Sequence, residues 1–392
     1  MSDLAELGER AFAHVYALAA GIGPRPAGSA AEVQAGDYVL ARLRAWGYQP
    51  EVAPAPFAPG PRFSPLYASG GLALALGGLL LASAPWLALL PAPWIAVLPD
   101  LARDVIRRRP RTQMSRNVLA YTPGPESAPT LVLCAHLDSA PASAFGARPL
   151  LWLHQNWMFL ALRAAWALAA VAALRLLGVW LPEFILPLAG GAALIAGGTW
   201  AGMELMDQAL RGARYSPGAH DNASGAGVLL AVAERLAARA PARLRVGFLF
   251  TGAEETGLHG AEAAAEALRG RRLAVLSVDM VGAGAALRYV TQDGALRARP
   301  TDDGLNDLIR AAAPEARGLA YPLRSGDFLP FLRRGIAAGA LQTSGSAEAE
   351  LAYHTVYDSV EVVEVEALGR TAQAVLKVIE LAETRGYPER AA

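Results

Sequence analysis

Five residues of metal-binding type stand far apart in this chain: His136, Asp221, Glu255, Asp279 and His354. Asp221 lies in Gly218-Ala219-His220-Asp221-Asn222-Ala223-Ser224-Gly225, which reads as a tight turn opening onto an apolar helix from Val228 to Leu236. A carboxylate held at such a turn can share its two oxygens between two cations. His136 with Asp279 can complete one ion, and Glu255 with His354 the other. Two Zn2+ ions, three carboxylates and a bridging hydroxide then sum to zero charge. Mixed histidine and carboxylate ligation favours zinc, with Co2+ or Mn2+ as possible substitutes.

Glu254 precedes Glu255 in Phe250-Thr251-Gly252-Ala253-Glu254-Glu255-Thr256-Gly257. Adjacent loop carboxylates usually point apart, so one can ligate while the other reaches the water. Glu254 is thus the candidate general base, taking a proton from water and returning it to the leaving group. Asp138, two residues after His136, is placed to hold that imidazole in one tautomer. Asp358, four after His354, is a similar candidate on the other side. The remaining histidines, His14, His154, His220 and His259, read as structural, and Cys134 as a buried thiol in an apolar run.

The elements that must position these groups alternate. Helical patterning covers residues 4–20 and 30–46, and a first strand covers 50–57. Strands follow at Asn117 to Tyr121 and Thr130 to Ala135, the second delivering His136 and Asp138 at its end. Past Asp221 come strand Leu244 to Thr251, helix Leu258 to Leu268 and strand Leu273 to Met280. Strands at Leu287 to Thr291 and Ile336 to Thr343 and a helix from Val363 to Thr384 complete the pattern. Alternation of this kind predicts an α/β fold, a central sheet covered by helices on both faces. His136, Glu255 and Asp279 all follow apolar strands, and the C-terminal ends of such strands are where α/β sheets bind ligands.

Two apolar blocks interrupt that pattern. No charge occurs from Phe63 to Pro99, room for one transmembrane helix or for two short ones broken near Pro85, Pro91 and Pro93. The second block, Trp157 to Met203, contains only Arg163, Arg175 and Glu183 and reads as a helical hairpin. The flanking strands belong to one sheet, so each block must leave and return on the same side of a bilayer. The expected organisation is one discontinuous domain of residues 1–62, 113–145 and 212–392, with insertions at 63–112 and 146–211. Arginines gather at the block ends (Arg103, Arg107, Arg108, Arg109, Arg111, Arg148, Arg211 and Arg214), whereas the presumed tips near Pro85 and Pro182 are almost bare. The positive-inside rule then places the rest of the chain on the cytoplasmic face.

Composition agrees: 54% hydrophobic and 18% charged residues are unusual for a soluble enzyme of 392 residues. A formal net charge of zero argues against a nucleic-acid partner. One cysteine excludes an internal disulfide and any cysteine-rich zinc site. Met1-Ser2-Asp3-Leu4-Ala5-Glu6 lacks the basic and apolar regions of a cleavable signal peptide.

Ala135-His136-Leu137-Asp138-Ser139, Gly218 to Gly225, Thr251 to Gly257, Val278-Asp279-Met280 and Tyr353-His354-Thr355-Val356-Tyr357-Asp358 together resemble metallopeptidase family 28. These are the co-catalytic zinc aminopeptidases, with glutamate carboxypeptidase-like members. The Gly21 to Ser29 run, Gly-Ile-Gly-Pro-Arg-Pro-Ala-Gly-Ser, is also typical of the family. The resemblance implies an α/β sandwich with a mostly parallel central sheet. It implies Asp221 as bridge with a cis peptide to Asn222, and Glu254 as acid/base. The expected protein is a membrane-integrated di-zinc aminopeptidase acting on peptides, with its apolar blocks inserted as transmembrane hairpins. Ser325-Gly326-Asp327-Phe328-Leu329-Pro330-Phe331 departs from the Asp-His pair that many members carry before Pro-Phe. A carboxypeptidase remains open if Arg324, Arg333 or Arg334 receives a substrate carboxylate. A glutaminyl-cyclase-like enzyme needs one zinc only, and an inactive membrane scaffold needs none.

Overall fold

The computed structural model describes residues 3–59, 64–145, 148–210, 214–294, 297–322 and 325–387. Arg211, Arg324 and the expected domain limits near 62, 146 and 211 fall outside these, as do the side chains of Arg103, Arg107 and Arg148. The chain divides into two compact units, one of Met1–Gly60, Arg109–Ala142 and Arg214–Ala392, the other of Pro61–Arg108 and Ser143–Ala213.

In chain order the elements are α1 (Asp3–Val15), α2 (Ala30–Ala45), β1 (Glu51–Phe57), α3 (Ser64–Leu80), α4 (Pro91–Arg108), β2 (Gln113–Tyr121) and β3 (Thr130–His136). Then follow α5 (Arg148–Leu176), α6 (Ile185–Leu210), α7 (Ser224–Ala238), β4 (Arg245–Thr251), α8 (His259–Ala267), β5 (Leu273–Val278) and β6 (Ala286–Asp293). The chain closes with β7 (Arg299–Pro300), α9 (Asp303–Ala312), β8 (Arg317–Tyr321), α10 (Phe328–Arg333), β9 (Ala337–Ser344), α11 (Ala347–Ala352) and α12 (Val365–Arg385).

The first unit is built on a nine-stranded sheet in the order β1-β2-β4-β3-β5-β9-β6-β7, with β8 also on β6. Its centre, β4-β3-β5-β9, is parallel. Antiparallel pairs extend it on both sides, so the sheet is mixed where the family resemblance implied mostly parallel. β3 and β5 are buried along their whole length. Alternate side chains of β3 serve two cores. Leu131, Leu133 and Ala135 pack with α1, α2, α7, α9 and α12 residues such as Val15, Leu43, Leu229, Ile309 and Val375. Val132 and Cys134 pack against Ala261 and Ala265 of α8 and Phe328 and Phe331 of α10. Helices on both faces leave the strand ends as the place where loops meet.

Among the described residues of the second unit, three stretches are long and apolar enough to cross a membrane: Pro85–Ala102, Asn156–Leu176 and Ile185–Leu210; α3 is apolar but shorter. The first block thus forms two α-helices joined by a 3-10 turn at Pro85–Leu89, and α4 runs through Pro99 to Arg108. α6, at 26 residues, is about 39 Å long, enough for a hydrocarbon core of about 30 Å. Arg175 donates from Nη2 to the Ala82 carbonyl at 2.9 Å, so this charge has a partner.

α3 and α6 pack backbone to backbone. A Cβ on Gly71 would lie 2.6 Å from the Gly197 carbonyl oxygen, and one on Gly197 would lie 2.3 Å from that of Gly71. Gly78 and Gly190 repeat this at 2.5 and 2.7 Å. Small residues seven apart on each helix therefore permit a contact that dispersion and Cα–H···O interactions can hold without water. Gly198, next in sequence, faces open space. Gly197→Ala should lower the thermal-inactivation midpoint in detergent, at a cost of about 1–3 kcal/mol of overpacking. Gly198→Ala should leave the midpoint unchanged or raise it. Equal behaviour of the two variants would contradict this packing.

Candidate metal centre

Parallel pairing aligns the strand ends. His136 at the end of β3 is in register with Thr251 at the end of β4, and Cys134 is in register with Ser277 of β5, which brings Asp279 alongside. Just past them the backbone turns sharply. Ala253, Met280 and His354 take positive φ of 54, 52 and 54°. Such conformations cost of order 1 kcal/mol or more in non-glycine residues and persist only where surroundings fix them. Each adjoins or is a residue picked from the sequence.

All five ligand candidates converge. His136 Nε2 lies 3.1 Å from Asp221 Oδ1 and 3.6 Å from Asp279 Oδ1. His354 Nε2 lies 3.2 Å from Asp221 Oδ2 and 3.2 Å from Glu255 Oε2. Asp221 thus turns one oxygen to each histidine. His136, Asp221 and Asp279 form one trio, Asp221, Glu255 and His354 a second, and His136, Glu254 and Glu255 a third, each with its atoms within 4.8 Å of one another. These residues fit a cation. A tetrahedral zinc with bonds of about 2.0–2.1 Å separates its ligand atoms by about 3.3 Å. Glu255 Oε1 and Asp279 Oδ1 are buried with no hydrogen-bond partner, acceptors left for another electrophile.

The charges are strongly coupled. Burial works against a charged His354, but Glu255 and Asp221 outweigh it and push its pKa up to about 10. Burial works against charged His136 as well, and Glu254 together with Asp138, Asp221 and Asp279 raises it well above the usual imidazole value. Asp221 is held below the ordinary carboxylate range despite its burial, by both histidines. Glu254 is raised by burial, with Glu255, Asp327 and Asp279 adding and His136 opposing. The array attracts positive charge.

Two supporting roles differ from the sequence expectation. The Asp138 carboxylate stands 3.7 Å from His136 Nδ1, which instead meets the Asp138 main-chain carbonyl at 3.1 Å. Asp138 Oδ1 and Oδ2 accept the amides of Glu254 and Glu255 at 2.9 and 3.0 Å. It orients the tandem glutamates because the chain turns after β3 and carries its side chain toward the β4 loop. Asp358 serves the bridging residue. It accepts the amides of His220 and Asp221 at 2.7 and 3.1 Å, bracing the bridging residue.

Around the bridge, the Asp221–Asn222 peptide is cis. Asn222 donates to the Val278 carbonyl and accepts from Gly225 and Met280, tying the turn to both sides of Asp279. His220 is buried, and its Nδ1 accepts the Gly282 amide. Two groups in segments noted from the sequence had no role assigned there. Arg25, fully buried, donates to the carbonyls of Leu18, Gly23, Leu137, Pro217 and Gly218, fastening the loops under His136 and Asp221. Asp327, also buried, accepts from the Thr251 hydroxyl and the Cys134 thiol. Arg333 and Arg334 pair with Glu262, and Arg334 also with Glu266. Arg334 and the start of β9 line one cavity, at the sheet end opposite the metal-type cluster. Both arginines are thus engaged by carboxylates of α8.

One comparison bears on the family over part of the chain. Residues 206–379 match the model of peptidase family M28. The family resemblance read from the motifs is borne out over this segment, which carries Asp221, Glu254, Glu255, Asp279 and His354, while His136 joins them through the sheet. Comparison with curated proteins gives no match. Among solved structures, BSAP, a zinc aminopeptidase from Bacillus subtilis, is 16% identical with a TM-score of 0.57, covering 96% of this chain and 95% of its own. A leucine aminopeptidase precursor from Bacteroides thetaiotaomicron is 17% identical with a TM-score of 0.55, over 98% and 97%. The Porphyromonas gingivalis glutaminyl cyclase is 16% identical with a TM-score of 0.56, over 95% and 98%. At these identities the likeness establishes the α/β fold with its helix-flanked central sheet.

In the M28 segment, a cation bound to the folded state alone should raise the melting temperature of metal-stripped protein. Asp221→Ala should abolish the rise produced by zinc. Glu361→Ala, an exposed carboxylate away from the cluster, should keep it. A full shift in Asp221→Ala would contradict the site.

Proposed function

We propose that this chain is a membrane-integrated di-zinc aminopeptidase. The observation that carries this reading is the division of Asp221's two oxygens between His136 and His354, with Asp279 and Glu255 completing two trios that share one carboxylate. His136, Asp221 and Asp279 would hold one ion, and Asp221, Glu255 and His354 the other. Bound there, zinc would lower the pKa of the attacking water and polarise the scissile carbonyl.

The chain's own residues do the rest. Glu254 stands beside His136 and Glu255 but outside both trios, free to accept the proton of the attacking water. Its buried, carboxylate-rich setting favours holding that proton long enough to return it to the leaving amine. Asp138 fixes the two amides from which Glu254 and Glu255 project. Access is from the His354 side, since that side chain is 35% exposed while His136 is 3% exposed.

Glutaminyl cyclisation is the second reading, favoured by the fold likeness to the Porphyromonas gingivalis enzyme. It leaves the paired His136 and Asp279 without a use. Purified protein should release N-terminal residues from unblocked peptides and ignore N-acetylated ones. Glu254→Gln should lower kcat by about 100- to 10,000-fold while zinc content stays unchanged. Cyclisation of N-terminal glutamine without residue release, or release from the C-terminus of blocked peptides, would replace the aminopeptidase assignment. Full activity in Glu254→Gln would remove its assigned role.

The apolar helices of the second unit support membrane insertion, and the arginines at their ends support a cytoplasmic catalytic unit. A cysteine at Trp180, between α5 and α6, should react with an impermeant thiol reagent on intact cells. One at Glu126 should react only after lysis. The reverse pattern would invert the orientation.

A further inference from the structure

Four consecutive backbone N–H groups in the loop after β4 each donate to a buried side-chain oxygen. Gly252 donates to Asn117 Oδ1 at 3.2 Å and Ala253 to Glu32 Oε1 at 3.0 Å. Glu254 and Glu255 donate to the two oxygens of Asp138. The acceptors come from α2, β2 and the residue two past β3, so three separate parts of the chain close on one tetrapeptide. Unmet amides this deep would each cost about 1–3 kcal/mol, and carboxylate acceptors make the stronger bonds.

Glu32 is the member of this set least explained by the fold. With Ser29 it forms a variant of the capping box at the start of α2, its carboxylate reaching the amide one residue before the N-cap. Ser29 Oγ accepts the Glu32 amide at 3.2 Å, and Glu32 Oε2 accepts the Gly28 amide at 2.6 Å. That ordinary role occupies one oxygen. The other turns away from the helix, accepts from Ser115 Oγ at 2.8 Å and reaches the Ala253 amide. Contact with the loop is tight. A Cβ on Gly252 would lie 2.1 Å from Ser115 Oγ and 2.6 Å from Glu32 Oε1. Glu32 is 2% exposed, and a carboxylate that served only as a helix cap would sit more cheaply in water. Ala253 is also the residue in left-handed conformation just before Glu254, which surroundings must enforce.

We propose that Glu32 is a positioning residue for the reaction. Through the Ala253 amide it holds the strained backbone from which Glu254 is aimed, while touching neither substrate nor cation. This rests on the reading of Glu254 as proton acceptor. A capping box alone would contribute to stability; a brace on the loop sets turnover.

The test uses the full chain in detergent with its metals, comparing wild type with Glu32→Ala, Glu32→Gln and Ser29→Ala. Measured are kcat and KM on an unblocked peptide, and amide hydrogen exchange of the 251–257 segment. Glu32→Ala should lose about 10–100-fold in kcat with KM within about twofold, and exchange should rise in 251–257 but not in β5. Glu32→Gln, which keeps one acceptor oxygen, should show the same split with a smaller loss. Ser29→Ala should lower the melting temperature and leave kcat and loop exchange as they are. Wild-type kcat and loop exchange in Glu32→Ala overturn the proposal, as does loosening spread over every segment. Should Glu32→Ala fail to fold, an unchanged kcat in Glu32→Gln overturns it. Full activity in Glu254→Gln would sink the proton-acceptor reading instead, with loop exchange still reporting on Glu32.

Discussion

Everything in the first unit answers to one buried carboxylate whose oxygens face two different imidazoles. Asp221 sits 3.1 Å from His136 on one side and 3.2 Å from His354 on the other. Groups so close and so shielded cannot keep arbitrary charge states. Each histidine is pushed toward its cationic form and Asp221 toward its anion, while Glu255 Oε1 and Asp279 Oδ1 beside them are buried without a hydrogen-bond partner. An excess of acceptors over donors at this depth makes sense where cations supply the balance.

The surrounding fold supplies stiffness at that point. Parallel strands deliver His136, the β4 loop and Asp279 in register, and the connecting turns are then pinned by side chains. Asn222 joins the bridge to Asp279's strand, Asp358 braces the bridge from behind, and Arg25 collects five carbonyls beneath the turns. These contacts run between segments distant in sequence. Removing a single brace therefore shifts ligands that it never touches, which is how a supporting shell tunes a metal site.

This separation explains what could be read from the sequence. Strand periodicity and the residues just beyond each strand were legible because sheet physics and ligand chemistry are local signals. The α/β fold with its covered sheet follows from them. The antiparallel strands β1, β2 and β6 were less so, since pairing direction depends on crossovers that hydrophobic pattern does not encode. Asp138 and Asp358 show the other limit. Spacings of two and four residues suggest contact with the neighbouring histidine, yet backbone turns send both carboxylates to main-chain amides elsewhere. Arg25 and Glu32 each reach partners more than 80 positions away, and only tertiary structure reveals those contacts. In the second unit the reverse holds. Lack of charge announces helices, whereas the contact of Gly71 with Gly197 emerges only from packing.

The central claim is that one carboxylate serves two cations. Anomalous scattering at the zinc edge from metal-loaded crystals tests it directly. The account predicts two peaks about 3.5 Å apart, with Asp221 between them and His136 and His354 on opposite sides. A single peak, or a pair in which Asp221 touches only one, would contradict it.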